Sequence, residues 1–233
     1  MSPIVVITYD YPHRKTQDVI SGLKMHNYQK VMLLALPFVF RENPFKPIYN
    51  HRPSQAFPIY PQELARNLGY DFKKVESRHL AEILDEMKPT ATLVAGAGLL
   101  PKELVLNHAI INSHPAYLPD IRGLDALKWA IYYKKKIGVT SHIINDKTDA
   151  GWLIDRVEIP IYENDTFHAV AYRQYETEIK MLIEAIDKIK NKGDLIALEE
   201  KGEAHRRMPK KIEQDLLSYF NEYIKIFSQS KIV

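Results

Sequence analysis

The densest polar cluster in the chain is Asn112-Ser113-His114-Pro115, followed by Leu118-Pro119-Asp120-Ile121-Arg122-Gly123. It ends a stretch, Ala109 to Asn112, that reads as a strand. Side chains two apart on a strand point to one side, so an Asn amide and an imidazole there can converge on a single ligand atom. The same residues also fit a plainer arrangement, in which Asn112 caps a turn and His114 serves a backbone group. A second cluster adds a carboxylate: Gly138-Val139-Thr140-Ser141-His142, then Asp149-Ala150-Gly151. Taken alone, Asp149 before Ala-Gly reads as a turn residue, and His142 as a histidine packed within a strand. The chain has no cysteine, which excludes disulfides, thiolate metal sites and a cysteine nucleophile. Ser113 points away from His114 and no Gly-x-Ser-x-Gly turn is present, so serine catalysis is not expected. A Gly-x-Gly-x-x-Gly turn is missing after the first strand, and Gly96-Ala97-Gly98 lacks the third glycine, against a dinucleotide site.

These clusters need a frame. Ile4 to Thr8 is an uninterrupted, β-branched strand pattern. A helix over Arg14 to Met25 follows, with Val19, Ile20 and Leu23 on one face, then a strand over Val31 to Leu36. Phe38 to Pro61 shows no period; a loop of this length inside a domain is often functional. Next come a helix near Pro61 to Leu68, a strand over Tyr70 to Val75, and a helix over Ser77 to Met87 with Ser77 as its N-cap. Further strands fall at Ala91 to Ala95, Val139 to Ile144 and Ile154 to Ile159, and helices at Pro101 to Leu106 and Leu124 to Tyr133. A long amphipathic helix, Thr166 to Lys190, turns Val170, Ile179, Leu182, Ile183 and Ile186 inward. Lys210 to Phe227 reads as one more helix. Strands alternating with helices imply an α/β, Rossmann-like fold with a mostly parallel sheet covered on both faces and a short C-terminal helical segment. Ligands in such folds bind beyond the carboxyl ends of the strands, which singles out Tyr9-Asp10, Gly96-Ala97-Gly98 and Asn112-Ser113-His114. The expected division is a catalytic domain over 1–200 and a helical tail over 201–233, packed on the domain or at a dimer interface.

At 233 residues and a formal charge of +3, the chain fits one globular domain, and its charge is a poor argument for nucleic acid. No signal-peptide pattern and no apolar run of about 20 residues is present. Small-molecule substrates, no nucleic-acid or membrane partner, and a cytoplasmic location are the expectations.

Taken together, Asn112-Ser113-His114-Pro115, Leu118-Pro119, Arg122-Gly123, Gly138-Val139-Thr140, His142 and Asp149-Ala150-Gly151 resemble, in order and spacing, the core of the 10-formyltetrahydrofolate-dependent formyltransferases. The resemblance implies 10-formyltetrahydrofolate as co-substrate, no metal, and a triad of Asn112, His114 and Asp149. An Asn amide and an imidazolium would donate to the oxygen that becomes negative when an amine attacks the formyl carbon. A carboxylate near the ring favours its charged form. Ala97, Gly98, Leu99, Leu100 and Thr148 correspond to the folate side.

Among the branches of that family, the opening Tyr9-Asp10-Tyr11-Pro12-His13-Arg14-Lys15 replaces the Gly- and Ser-rich phosphate loop of the purine-pathway enzymes. Arg206-Arg207-Met208-Pro209 and His51-Arg52-Pro53 resemble elements of short sugar N-formyltransferases acting on dTDP-4-amino-4,6-dideoxyglucose. The resemblance implies a nucleotide-sugar acceptor held by Tyr9, Asp10, Arg14, Lys15 and His51, with Arg14 and Lys15 on a pyrophosphate at the start of the first helix. A homodimer and a role in surface polysaccharides such as O-antigen and lipopolysaccharide go with it. A GDP-linked sugar, glycinamide ribonucleotide and methionyl-tRNA are the other acceptors, and an inactive folate-binding homologue is the remaining class. Tyr60, Trp129 and Trp152 read as core residues that are also able to stack on a base.

Overall fold

The computed structural model describes residues 2–190, 195–199 and 203–229; the domain boundary expected at 200/201 lies outside them. Strands β1 (Ile4–Tyr9), β2 (Val31–Leu36), β3 (Asp71–Lys74), β4 (Ala91–Val94), β5 (Ile110–His114), β6 (Gly138–Ile143), β7 (Gly151–Glu158) and β8 (Ile196–Leu198) form one sheet. Their order is β3-β2-β1-β4-β5-β6-β7-β8. All pairings from β3 to β5 are parallel, whereas β5–β6, β6–β7 and β7–β8 are antiparallel. The sheet is therefore mixed, which narrows the mostly parallel expectation to its first five strands. Strand order reverses between β1 and β4, so the loops after these two strands diverge and leave a crevice at the sheet's carboxyl edge.

Helices cover both faces. Val19, Ile20 and Leu23 of α1 (Arg14–Met25) pack with Val6 and Leu33 and with Leu182, Ile183 and Ile186 of the long helix α6 (Phe167–Lys190); α2 (Pro61–Leu68) joins that layer through Leu64 and Ala65. On the opposite face α3 (Leu80–Met87) and α4 (Lys102–Asn107) cover Val5, Ile7 and Ile110. A third cluster joins α5 (Ala126–Tyr132), the first half of α6 and the tail. Ser77 does not cap α3: His79 N–H donates to the Glu76 carbonyl at 3.0 Å, closing a 3-10 turn over Ser77–His79, and the α ladder starts after it.

The tail also departs from a single helix. It forms α7 (Lys210–Glu213) and α8 (Leu216–Phe227), and the break has a visible cause. Glu213 is turned inward to pair with Lys128, both fully buried, while the Asp215 carbonyl accepts from Ser218 and Tyr219 to start the next helix. A buried charge without its partner would cost several kcal/mol, so the pairing outweighs helix continuity. Tyr175, Phe220 and Tyr223 are covered within the chain itself. Trp129 is core, but Tyr60 and Trp152 are not: Tyr60 sits at the open start of α2, and Trp152, 39% exposed, lies near the sheet edge opposite Ala197.

Candidate active site

The carboxyl end of β5 presents Asn112 and His114 on one face and buries Ser113 on the other. Across the antiparallel ladder Asn112 lies opposite His142 and His114 opposite Thr140. Thr140 fixes the turn beyond β5, donating to the Ala116 carbonyl at 2.8 Å and accepting from the Leu118 N–H at 3.1 Å. The Leu118–Pro119 peptide bond in this turn is cis.

Asp149 arrives from the 144–150 loop. Arg122 grips that loop with two bonds to the Thr148 carbonyl, from Nε at 3.0 Å and Nη2 at 2.6 Å. The Gly123 N–H donates to Asp149 Oδ2 at 2.7 Å. The other oxygen, Oδ1, stands 3.2 Å from His114 Nδ1. Asp149 itself has φ 49° and Gly151 φ 112°, a left-handed turn in which a side chain on Gly151 would lie 2.0 Å from the Ile143 carbonyl. The Leu-Pro-x-x-Arg-Gly and Asp-x-Gly segments are thus two halves of one clasp that delivers a carboxylate to an imidazole.

His114 Nε2 is buried and has no hydrogen-bond partner. Burial pushes the ring's pKa below its ordinary value, opposed by Asp149 and Glu178 and aided by Arg52 and Lys15. Burial thus works against the charged ring in the free site, and the imidazolium that the resemblance implied has Asp149 in its favour. With the Asp149 carboxylate facing Nδ1, the favoured tautomer places the proton on Nδ1 and a lone pair on Nε2. His142 is held down near 4 by burial and by His114, while its Nδ1 bonds the Ala150 carbonyl at 2.9 Å.

Two clefts flank this centre. The first, of about 350 Å³, is lined by Ala97, Gly98, Leu99, Leu100 and Thr148 together with Asn112 and Asp149. All five residues expected on the folate side thus share a cleft with two of the triad. The second, of about 260 Å³, is lined by His51, Arg52, His114, Gln174 and Arg207, with the 123–127 turn. Arg207 reaches it because residues 205–208 run along the Gly123–Asp125 turn: Leu124 N–H donates to the His205 carbonyl at 2.8 Å, and Met208 N–H to Asp125 Oδ2 at 3.0 Å. A side chain on Gly123 (φ 93°) would meet the His205 carbonyl at 2.2 Å. His51 is held neutral by burial, down to about 3, with Arg52, Lys128 and Arg207 adding to the shift.

The other expected acceptor residues lie differently. Asp10 pairs with Lys74 at 2.8 Å and borders a separate cavity beside α3. Tyr9 packs edge-on against His13 and Phe38. Arg14 is engaged by Asp18 and by the Ser54 carbonyl, and Lys15 by Glu178 and the Ser113 carbonyl. Neither Arg14 nor Lys15 lines the cleft beside His114, and the pyrophosphate expected on them would have to share these cations with the protein groups they already bond. Arg52 and Arg207 are the guanidinium groups that line the cleft beside His114. Gln174 and Glu178 on α6 were not singled out from the sequence, although two polar residues four apart within a buried helical stripe are a signal for a polar site.

Among the described residues no helix is long and apolar enough to cross a membrane, and no group of three or more His, Asp or Glu is placed to hold a metal ion.

A mixed α/β sheet with Asn112, His114 and Asp149 gathered at its carboxyl edge is an arrangement of the Rossmann-like class. More specifically, the formyl transferase family model matches residues 43–186, and the chain belongs to that family. A methionyl-tRNA formyltransferase from Thermodesulfovibrio yellowstonii is 29% identical over 160 residues, 67% of this chain and 52% of that protein. The chain thus spans about half the length of the curated relatives it matches. Among solved structures, a 4-N formyltransferase from Francisella tularensis superposes with a TM-score of 0.61 at 20% identity, covering 88% of this chain and 76% of that one. A phosphoribosylglycinamide formyltransferase from Streptococcus pneumoniae TIGR4 gives a TM-score of 0.57 at 22% identity, covering 82% and 100%. These two similarities establish the fold.

Proposed function

We propose that this protein transfers a formyl group from 10-formyltetrahydrofolate to the amine of a nucleotide-linked amino sugar, with dTDP-4-amino-4,6-dideoxyglucose as the first acceptor to test. The observation that carries the reading is the meeting of Asn112, His114 and Asp149 where two clefts adjoin. A buried ring nitrogen without a partner is costly unless a ligand uses it, and His114 Nε2 is such a group.

The folate co-substrate supplies the formyl carbon, and Ala97 to Leu100 with Thr148 would line its cleft. Asn112 donates its amide N–H to the carbonyl oxygen as negative charge develops there; one such donor is worth about 3 kcal/mol of barrier. His114 Nε2 accepts the proton that the attacking amine must lose. Asp149, already at Nδ1, favours the imidazolium so formed. That imidazolium then returns the proton to the folate nitrogen as its bond to the formyl carbon breaks and the new C–N bond is complete. The histidine thus begins neutral and becomes charged during the reaction, the reverse of a site charged from the outset.

For the acceptor, support comes from the second cleft. Arg52 and Arg207 border it, each bonded through Nη1 to a carboxylate, Glu178 and Asp125, and a guanidinium has further N–H donors with which to take phosphate oxygens. His51 adds a neutral hydrogen-bonding ring there. A homodimer, a cytoplasmic location and entry of the product into surface polysaccharide belong to the same reading.

The test is formyl transfer by purified protein, offered 10-formyltetrahydrofolate with amino-sugar nucleotides, glycinamide ribonucleotide and methionyl-tRNA in separate reactions. Turnover of a 4-amino sugar nucleotide is expected. Turnover of glycinamide ribonucleotide or methionyl-tRNA alone would keep the chemistry and overturn the acceptor, and folate binding without any turnover would make the chain a binding protein.

A further inference from the structure

Glu178 sits within the buried stripe of α6, its side chain 1% exposed. Burial alone would push its carboxyl up, but the Arg52 guanidinium and the Lys15 ammonium together hold it down at about 2. It is therefore ionised throughout the neutral range. Lys15 Nζ lies 2.8 Å from Oε1, and Arg52 binds Oε2.

Each cation has a second attachment. Lys15 Nζ also donates to the Ser113 carbonyl at 3.1 Å, the backbone group between Asn112 and His114. β5 pairs with β4 only at Ile110 and Ile111, so the 112–114 segment runs on past that neighbour, and Lys15 supplies a donor where the parallel ladder has ended. On the other arm, Arg52 lies over the Tyr175 ring at 5.6 Å and borders the second cleft beside His51. The loop around it is tied down at further points. Tyr175 donates to Asp18 Oδ2 at 2.8 Å, Arg14 binds the same oxygen at 2.7 Å, and Arg14 also donates to the Ser54 carbonyl at 2.8 Å. Gln55 bonds Gln17 at 2.6 Å.

We propose that Glu178 is a positioning residue that couples the two reactive partners, setting the catalytic end of β5 through Lys15 and the acceptor loop around His51 through Arg52. It acts through those two cations and touches neither substrate. The inference rests on the reading of the second cleft as the acceptor cleft. A buried ion triad need not add net stability, and here its geometry gives it another role: a shift of either arm is transmitted to the other through one carboxylate.

A merely structural ion pair and a coupling one part ways in the kinetics. Lys15→Met removes the strand arm and leaves the Glu178–Arg52 pair; kcat is expected to fall about tenfold with both KM values held within about twofold. Glu178→Gln releases both arms, so kcat falls and the acceptor KM rises, each about tenfold, while the folate KM stays. A second readout is independent of turnover. Hydrogen exchange of the substrate-free protein should quicken in Glu178→Gln at residues 50–54 and 112–116 together. A folded Glu178→Gln protein with a lower Tm, near-normal kcat and acceptor KM, and faster exchange confined to α6 would overturn the proposal. If that variant does not fold, an unchanged kcat in Lys15→Met overturns it instead. If the wild type formylates no amine, the functional reading fails by itself, and joint or separate loosening of the two segments still decides the coupling.

Discussion

The two clefts that flank Asn112, His114 and Asp149 are assembled differently. The cleft on the expected folate side is built mainly from two contiguous stretches, the 97–100 loop, with Leu99 95% exposed, and the 144–149 turn clasped by Arg122 and Gly123. The acceptor-side cleft is made of charged and ring side chains drawn from distant points of the chain, His51 and Arg52, Gln174, and Arg207. On the proposed reading, the formyl donor would be served by local turns and the acceptor by side chains brought together only by the fold. The shared chemistry sits between them and belongs to both.

This contrast is open to attack at several points. The largest effect is expected at the junction: His114→Ala should lower kcat by about a thousandfold while folate affinity, measured by direct binding, moves little. A comparable loss of folate affinity would show that the histidine belongs to one cleft only. Next comes acid. The folded-state pKa values of His51, near 3, and of His13 and His142, near 4, are depressed below the ordinary 6.5. Their contribution to stability is complete above 6.5 and is lost as pH falls toward those values, at up to about 1.4 kcal/mol per pH unit for each ring. Denaturation midpoints at pH 7.5, 6 and 5 should therefore decline. Glu178, depressed to about 2 from 4.5, adds its loss only below that range. A flat profile would mean the rings are wet, His51 in the acceptor cleft above all. Smaller still, Arg207→Ala should raise the acceptor KM by about tenfold with the folate KM unchanged, separating the clefts kinetically. The smallest effect is a contrast of glycines. Gly98→Ala meets open space and should leave Tm unchanged, whereas Gly123→Ala strikes the His205 carbonyl and should lower Tm clearly.

Much of this was legible in the sequence, for reasons that differ by region. α1 and β2 fall at the residues their apolar periods indicate, because period reports which face is buried. Period carries no direction, however, so β6 and β7 were visible as strands while the antiparallel turn of the sheet was not. The two motif halves around Arg122–Gly123 and Asp149–Gly151 were readable as short words, and the structure shows them bonded to each other. The downward push on the His114 pKa comes from burial, which no motif states. Lys15 read as a free cation because its carboxylate, Glu178, lies on another helix entirely, whereas the partner of Arg14, Asp18, stands one turn along α1. Glu213, likewise, looked like any polar residue of a surface helix until Lys128 was seen beneath it.

The stitch between residues 205–208 and the Gly123–Asp125 turn also bears on how the molecule is made. The turn that positions Asp149 lies near the middle of the chain, yet its bracing segment, with Trp129 Nε1 held by the Arg206 carbonyl at 2.8 Å, is translated only after the whole sheet. A chain emerging from the ribosome folds from its N-terminal side, so the parallel strands take shape well before the reaction centre is braced. The nascent protein is thus expected to be catalytically silent until residues 205–208 have emerged.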